Sequence, residues 1–317
     1  MFVASKRPPR PTSTITISVV DAVSNDSFDP VADQTVTVST VDNDTAGFTI
    51  VQTGGSTSVS EAGTTDTFTI VLNAQPASDV VLTVTSSDTG EATVNSPLTF
   101  TAGNWNSAQT VTVTGVNDNL VDGTINSTIT VAVKDDNSDN NFDPVADQTV
   151  SVSTVDNDTA GFTITETGGS TAVAETGTTD TFAVVLTAQP SSNVVLSITS
   201  GDTGEAVVNG STASNNILTF TSGNWNTPQS FTVTGVDDNL VDGTITSTLT
   251  VAVVDALSDD SFDAVADQTV SATTTDNDTA GFTVAQSGGS TSVSEAGTTD
   301  TFTVVLSAQP TSDVVIT

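Results

Sequence analysis

The side chains of this chain that could do chemistry are carboxylates, and they recur at fixed places. Glu61 and Glu175 stand in Val-x-Glu-x-Gly stretches; Asp88 with Glu91, and Asp202 with Glu205, stand in Asp-Thr-Gly-Glu-Ala. Asp118 and Asp122 precede a glycine in Asn117-Asp118-Asn119, as do Asp242 and the pair Asp237-Asp238 before Asn239. Asp156 with Asp158, and Asp276 with Asp278, close the two series. Several loops of this kind can supply the six to eight oxygen ligands a hard divalent cation takes, and calcium is the expected ion. Zinc and copper are excluded as natural occupants because the chain has no imidazole or thiolate to offer them. The plainer alternative is that these are solvated turn residues, since Asp and Asn favour turns for their own hydrogen-bonding reasons.

Composition narrows the chemistry further. The 317 residues carry 38 Asp plus Glu against four Lys plus Arg, a formal charge of −34, so self-repulsion is severe unless a cation relieves it. Three of the four basic residues, Lys6, Arg7 and Arg10, sit at the start and the fourth is Lys134. Nucleic acid and anionic membrane surfaces are therefore poor partners, because both need basic patches. With no His, Cys or Tyr, the usual general bases and activated nucleophiles are missing and only carboxylate catalysis is left. A hydrolase would need one cleft with two unlike carboxylates, whereas every acidic cluster here is duplicated, so no enzyme is expected. No stretch approaches the roughly 20 apolar residues of a membrane span. Residues 1 to 11 read as a non-repeat leader without an apolar h-region, so a secretion signal would lie outside them.

The elements that must position the carboxylates follow from a long repeat. The string Asp-Asn-Asp-Thr-Ala-Gly-Phe-Thr starts at Asp42, Asp156 and Asp276, spacings of 114 and 120 residues. The extra residues fall between Asn209 and Leu218, where the first unit has only Asn95-Ser96-Pro97-Leu98. Apolar residues alternate within each unit, as in Phe68-x-Ile70-x-Leu72, Val80-x-Leu82-x-Val84 and Ile129-x-Val131-x-Val133, which is strand periodicity with one buried face. Gly54-Gly55, Ala74-Gln75-Pro76, Ala102-Gly103-Asn104 and Asp122-Gly123 mark turns between the runs. The expected fold is all-β: tandem, seven-stranded, antiparallel Ig-like sandwiches in an elongated array. Complete repeats span 45 to 158 and 159 to 278. Residues 12 to 44 match the last third of a repeat and 279 to 317 the first third.

At these residues the chain resembles the Calx-beta family, sandwich domains of sodium-calcium exchangers and of large bacterial surface proteins. The matching motifs are Val59-Ser60-Glu61-Ala62-Gly63, Phe68-x-Ile70-x-Leu72, Leu98-Thr99-Phe100 with Gly103, Asn117 to Gly123, and Asp156-Asn157-Asp158 entering Ala160-Gly161-Phe162. The resemblance implies calcium ligands at Glu61, Asp88 or Glu91, Asp118, Asp122, Asp156 and Asp158. In the second repeat they become Glu175, Asp202 or Glu205, Asp237, Asp238, Asp242, Asp276 and Asp278, with Asp42, Asp44 and Glu295 as counterparts in the partial repeats. This sequence departs from the family pattern where Asn117 replaces an acid, where Asp122 and Asp242 replace Glu, and where Asn interrupts each terminal run. The implied role is a calcium-stiffened structural segment of a secreted, cell-surface fibre or adhesin stalk, the ion locking the hinge between neighbours. A ligand-binding adhesin domain is the main alternative. Its partners would be neighbouring repeats or further copies of the same chain, without nucleic acid or membrane insertion. The two end segments would then belong to a longer array or complement one another between copies, Phe282, Val304 and Leu306 packing near Ile15, Ile17 and Val36.

Three further expectations concern single positions. Trp105 and Trp225, each in Gly-Asn-Trp-Asn, are core plugs rather than sugar platforms. The Asp135 to Asp143 run has a calcium-loop look, but its counterpart at Asp255 to Asp259 loses two oxygen side chains, which argues against a second ion. Phe142 and Phe262 should fix that loop to the core.

Overall fold

A computed structural model describes residues 12–210 and 216–317; the leader and most of the residues added to the second repeat's loop lie outside these. The described chain divides into two compact units. One holds the residues up to Asn117 together with Thr124–Val155; the other holds Asp118–Gly123 together with Asp156–Thr317.

The first unit opens with a hairpin of β1 (Thr12–Ile17) and β2 (Gln34–Ser39), which pairs Ile15 with Val36 and leaves every residue exposed. Nine strands follow: β3 (Phe48–Gln52), β4 (Thr57–Ser60), β5 (Thr65–Leu72), β6 (Val80–Ser86), β7 (Ala92–Val94), β8 (Leu98–Phe100), β9 (Gln109–Gly115), β10 (Ile125–Val133) and β11 (Gln148–Val155). They make two sheets, β3-β5-β9-β7 and β4-β11-β10-β6-β8, antiparallel throughout except that β4 runs parallel to β11. The inward positions of the alternating runs, among them Phe68, Ile70, Leu82, Phe100, Val111, Ile129 and Val131, are fully buried between the sheets. Each such side chain contributes roughly 1.5–3 kcal/mol by leaving water, so the period-two pattern is what fixes register.

The second unit repeats this plan with β12 (Phe162–Glu166), β13 (Thr171–Ala174), β14 (Thr179–Leu186), β15 (Val194–Ser200), β16 (Ala206–Gly210), β17 (Ile217–Phe220), β18 (Gln229–Gly235), β19 (Ile245–Val253) and β20 (Gln268–Thr275). Its sheets are β12-β14-β18-β16 and β13-β20-β19-β15-β17, and Phe182 packs on Phe231 with ring centroids 5.6 Å apart. A last pair, β21 (Phe282–Gln286) with β22 (Phe302–Leu306), has no sheet opposite it.

All-β sandwiches are thus what the alternation builds, with nine strands per complete repeat rather than about seven. The difference arises at Gly54-Gly55 and Gly168-Gly169, whose positive φ angles break the opening strand so that β3 and β4, or β12 and β13, join opposite sheets. The short strands β7 and β8 account for the rest, split between the two sheets. Trp105 and Trp225 pack half-buried against the two cores, and Phe142 and Phe262 are buried in them. No helix among the described residues is long and apolar enough to cross a membrane.

Candidate metal centre

The clearest grouping of carboxylates lies in the second unit, and strand pairing builds it. β13 runs parallel beside β20 with Ala174 opposite Thr275, and the Glu175 amide extends the pairing by donating to the Thr275 carbonyl at 3.1 Å. Glu175 and the run Asp276-Asn277-Asp278 therefore leave the sheet side by side. Gly235 ends β18 against this edge; a Cβ there would come within 2.1 Å of the Ala174 carbonyl oxygen, so only glycine fits. The next amide, Val236, donates to the Glu205 carbonyl at 2.9 Å, and the Thr274 hydroxyl donates to the same oxygen at 3.2 Å. Glu205 is thereby held under the loop Asp237–Gly243.

Asp276 shapes that loop. One of its oxygens accepts from the Asp242 and Gly243 amides at 3.1 and 2.9 Å, and the other from the Asp278 amide at 2.5 Å. These bonds hold its carboxyl below the usual range. Asp238 accepts from the Leu240 amide at 2.6 Å, Asn277 donates its amide to Glu175 at 3.0 Å, and the Asn277 side chain donates to Asp237 at 2.7 Å.

Five side chains converge as a result. Carboxylate oxygens of Glu175, Glu205 and Asp242 lie within 4.8 Å of one another, and so do those of Glu175, Asp238 and Asp278. Glu175 is 1% exposed and Glu205 6%. Burial, followed by the charges of Asp242 and Asp202, pushes the Glu205 carboxyl up; burial and then Asp276 push Asp278 up. At Glu175 the Asn277 amide lowers the value, but burial and the charges of Asp276, Asp238 and Asp242 together outweigh it. Three buried oxygens, Glu205 Oε2, Asp242 Oδ1 and Asp278 Oδ2, have no hydrogen-bond partner. Residues 159 to 278 contain no Lys or Arg. A buried carboxylate without a hydrogen bond or counter-charge costs several kcal/mol, so the nest is built for a cation or for protons.

The donor set fits calcium: carboxylate oxygens only, from Glu175, Glu205, Asp238, Asp242 and Asp278. Asp202 is not among them. It is exposed and accepts from the Gly204 amide at 3.0 Å, shaping the turn that presents Glu205. Asp237 is exposed on the rim, and Asp276 is occupied by backbone amides.

The first repeat's residues are distributed over the two units. In the first unit Glu61 and Glu91 are buried; the Glu61 amide donates to Val155 O, and the Glu91 carbonyl accepts from Val116 N and the Thr154 hydroxyl. Asp88 is exposed and accepts from the Gly90 amide. In the second unit Asp156 accepts from the Asp122, Gly123 and Asp158 amides, and Leu120 donates to Asp118. Burial, then neighbouring aspartates, raises Asp122 and Asp158, each of which keeps one buried oxygen without a partner. Asp42, Asp44 and Glu295 are exposed and join no acidic cluster among the described residues.

The runs Asp135 to Asp143 and Asp255 to Asp259 each hold one buried carboxylate whose fastening role the sequence did not reveal. Asp139 accepts from the Ala77, Ser78 and Asn141 amides, and Asp259 from Ser191, Ser192 and Ser261. Burial alone would raise both, but these hydrogen bonds win and hold them low, so they fasten the loop with Phe142 or Phe262. The available signal was the shared Ser-Asp-x-x-Phe spacing.

No family model and no curated protein matches this chain. Solved structures similar to it include surface layer protein SbsC, domains 4-9, at 19% identity, 87% of this chain, 37% of that one and TM-score 0.28. CBD12 from CALX1.2 matches at 11% identity, 64% of this chain, 79% of that one and TM-score 0.26. The S-layer protein SbsC domains 4 and 5 match at 17% identity, 61% of this chain, 76% of that one and TM-score 0.28. The chain therefore spans little more than a third of the first of these. Likenesses this loose assign no residue and no activity.

Proposed function

We propose that each complete repeat, 45 to 158 and 159 to 278, is a calcium-binding sandwich domain, and that the chain is a non-catalytic structural segment stiffened by the ion. The observation that carries this reading is the set of unpartnered buried oxygens on Glu205, Asp242 and Asp278 in a repeat without a single basic residue. Calcium would be held by Glu175, Glu205, Asp238, Asp242 and Asp278. Glu61, Glu91, Asp118, Asp122 and Asp158 are their sequence counterparts in the first repeat, with Asp156 in the place of Asp276. The ion supplies charge neutralisation, so clustered carboxylates that repel in its absence become cross-links between loops. Extracellular calcium modules work at dissociation constants of about 10⁻⁴–10⁻³ M, which suits a secreted fibre or adhesin stalk and not a cytosolic sensor. Neighbouring repeats or further copies of the chain are the partners this role requires.

Calorimetric titration of the full chain tests it. Saturable calcium binding in the micromolar to millimolar range is expected, and Glu205→Gln with Asp278→Asn should remove one site. Absence of any binding up to 10 mM would overturn the proposal.

A further inference from the structure

The loop that carries two of the nest's carboxylates also makes backbone hydrogen bonds to the start of the next partial repeat. Asp238 and Asp242 flank three residues, Asn239-Leu240-Val241, and those three pair with Gln309 as an isolated parallel bridge centred on Leu240. The Gln309 amide donates to Asn239 O at 2.6 Å, and the Val241 amide donates to Gln309 O at 3.0 Å. The Val241 side chain lines an apolar cavity with Phe282, Leu306, Ala308, Pro310 and Val314.

The same device occurs once more in the same unit. Leu120 bridges Gln189; the Gln189 amide donates to Asn119 O at 2.7 Å, the Val121 amide donates to Gln189 O at 3.0 Å, and Val121 packs on the core around Phe162 and Phe182. Both glutamines lie in Ala-Gln-Pro, where the proline has no amide and the turn offers this single donor at its tip. The Gln189 side chain serves another purpose: its Nε2 donates to Ser222 O, as Gln75 Nε2 does to Ala102 O. The Gln75 amide has no corresponding loop partner among the described residues.

We infer that the Asn239-Leu240-Val241 bridge to Gln309 is coupled to the nest, so that calcium held by Asp238 and Asp242 strengthens the grip on the following repeat segment. This rests on the calcium reading. Two ligands separated by three residues cannot be fixed without fixing those three. Conversely, Asp238 and Asp242 repelling Glu175 and Glu205 loosen the loop between them. The unpartnered, nearly buried Glu205 oxygen sets the demand for the ion, and the loop passes its occupancy on. Coupling of this kind is reciprocal: a change that weakens the bridge must weaken calcium binding by the same factor.

Amide hydrogen exchange of the ¹⁵N-labelled full chain, in calcium chloride and in chelator, measures the coupling, with calorimetry on the same samples to establish binding. Calcium is expected to slow exchange of the Gln309 amide at least about fivefold, within the usual span of coupling between sites, while leaving the Gln75 amide unchanged. In Glu205→Gln the calcium effect at Gln309 should require at least about tenfold more calcium. Gln309→Pro removes the bridging donor without touching a ligand, and should weaken calcium binding at this nest by a similar factor. Calcium binding with no change at Gln309 would overturn the coupling and leave the calcium site standing. No calcium binding at all would overturn the site itself, and the coupling with it.

Discussion

Residues Gly54–Thr69 and Gly288–Thr303 have the same sixteen-residue sequence and different structures. In the first, Thr57–Ser60 is strand β4, Val59 is 2% exposed, Phe68 is fully buried and Glu61 lies inside. In the second, Thr291–Ser294 forms no strand, Val293 is 67% exposed, Phe302 is 59% exposed and Glu295 faces solvent. The turns nevertheless agree in detail. The glycine pairs share positive φ, Asp66 accepts from Ser58 N at 2.9 Å as Asp300 does from Ser292 N at 2.8 Å, and Gly63 N donates to Ser60 O as Gly297 N does to Ser294 O. Turn chemistry is therefore encoded locally. Strand formation, burial and the enclosure of the glutamate come from partners: β4 has β11 alongside and a sheet opposite, while the segment before β22 has neither.

The largest expected break in this comparison is between two identical substitutions. Phe68→Ala should destabilise its unit by about 3–5 kcal/mol, as cavity formation under a buried ring does. Phe302→Ala should change denaturant unfolding by less than about 0.5 kcal/mol, as exposed substitutions do. Equal effects would mean that the two segments share one environment after all.

Next in size is the loop fastener that neither copy of the sixteen residues contains. Asp259→Asn replaces a carboxylate that accepts five hydrogen bonds from Ser191, Ser192 and Ser261 side chains and amides. A loss of about 1–3 kcal/mol is expected in urea unfolding.

Glu205→Gln and Glu295→Gln sharpen the contrast at the glutamates. The first should weaken calcium binding at its nest at least about tenfold, a loss of roughly 1.4 kcal/mol; the second should leave every site measured by titration unchanged. Appending a copy of residues 198 to 278 after Thr317 supplies the missing partners. One further calcium site and burial of Phe302 are then expected.

The smallest effect is the response to pH without calcium. Glu175, Glu205, Asp278, Asp122 and Asp158 hold protons more tightly folded than unfolded, so acidification from pH 7 through their raised values stabilises the fold. Asp139, Asp259 and Asp276 are depressed; their contribution is complete above the ordinary carboxylate range and is lost as pH falls through the lowered values. In chelator, Tm should therefore rise as pH falls from neutrality through the raised values and fall again in stronger acid. With saturating calcium the rise should vanish, because the ion has already relieved the repulsion.

The repeat, the alternating runs and the loops that carry the acids were all legible in the sequence, because period-two burial and turn residues are local signals. The choice between Asp202 and Glu205 was not. It depends on which side of a tight turn faces the core, and buried Ala206 turns Glu205 inward while Asp202 caps the outside. The split of each opening strand between two sheets was equally hidden, since Gly54-Gly55 reads as an ordinary turn until the partners of β3 and β4 are known. Asp42, Asp44 and Glu295 are exposed, and the local sequence alone does not distinguish them from their enclosed counterparts.

Anomalous diffraction from crystals grown with calcium tests the central claim most directly. The account predicts a calcium peak about 2.3–2.6 Å from carboxylate oxygens of Glu175, Glu205, Asp238, Asp242 and Asp278, and none beside Glu295. A nest without a peak at saturating calcium, its carboxyl oxygens bonded to protons or water instead, would contradict it.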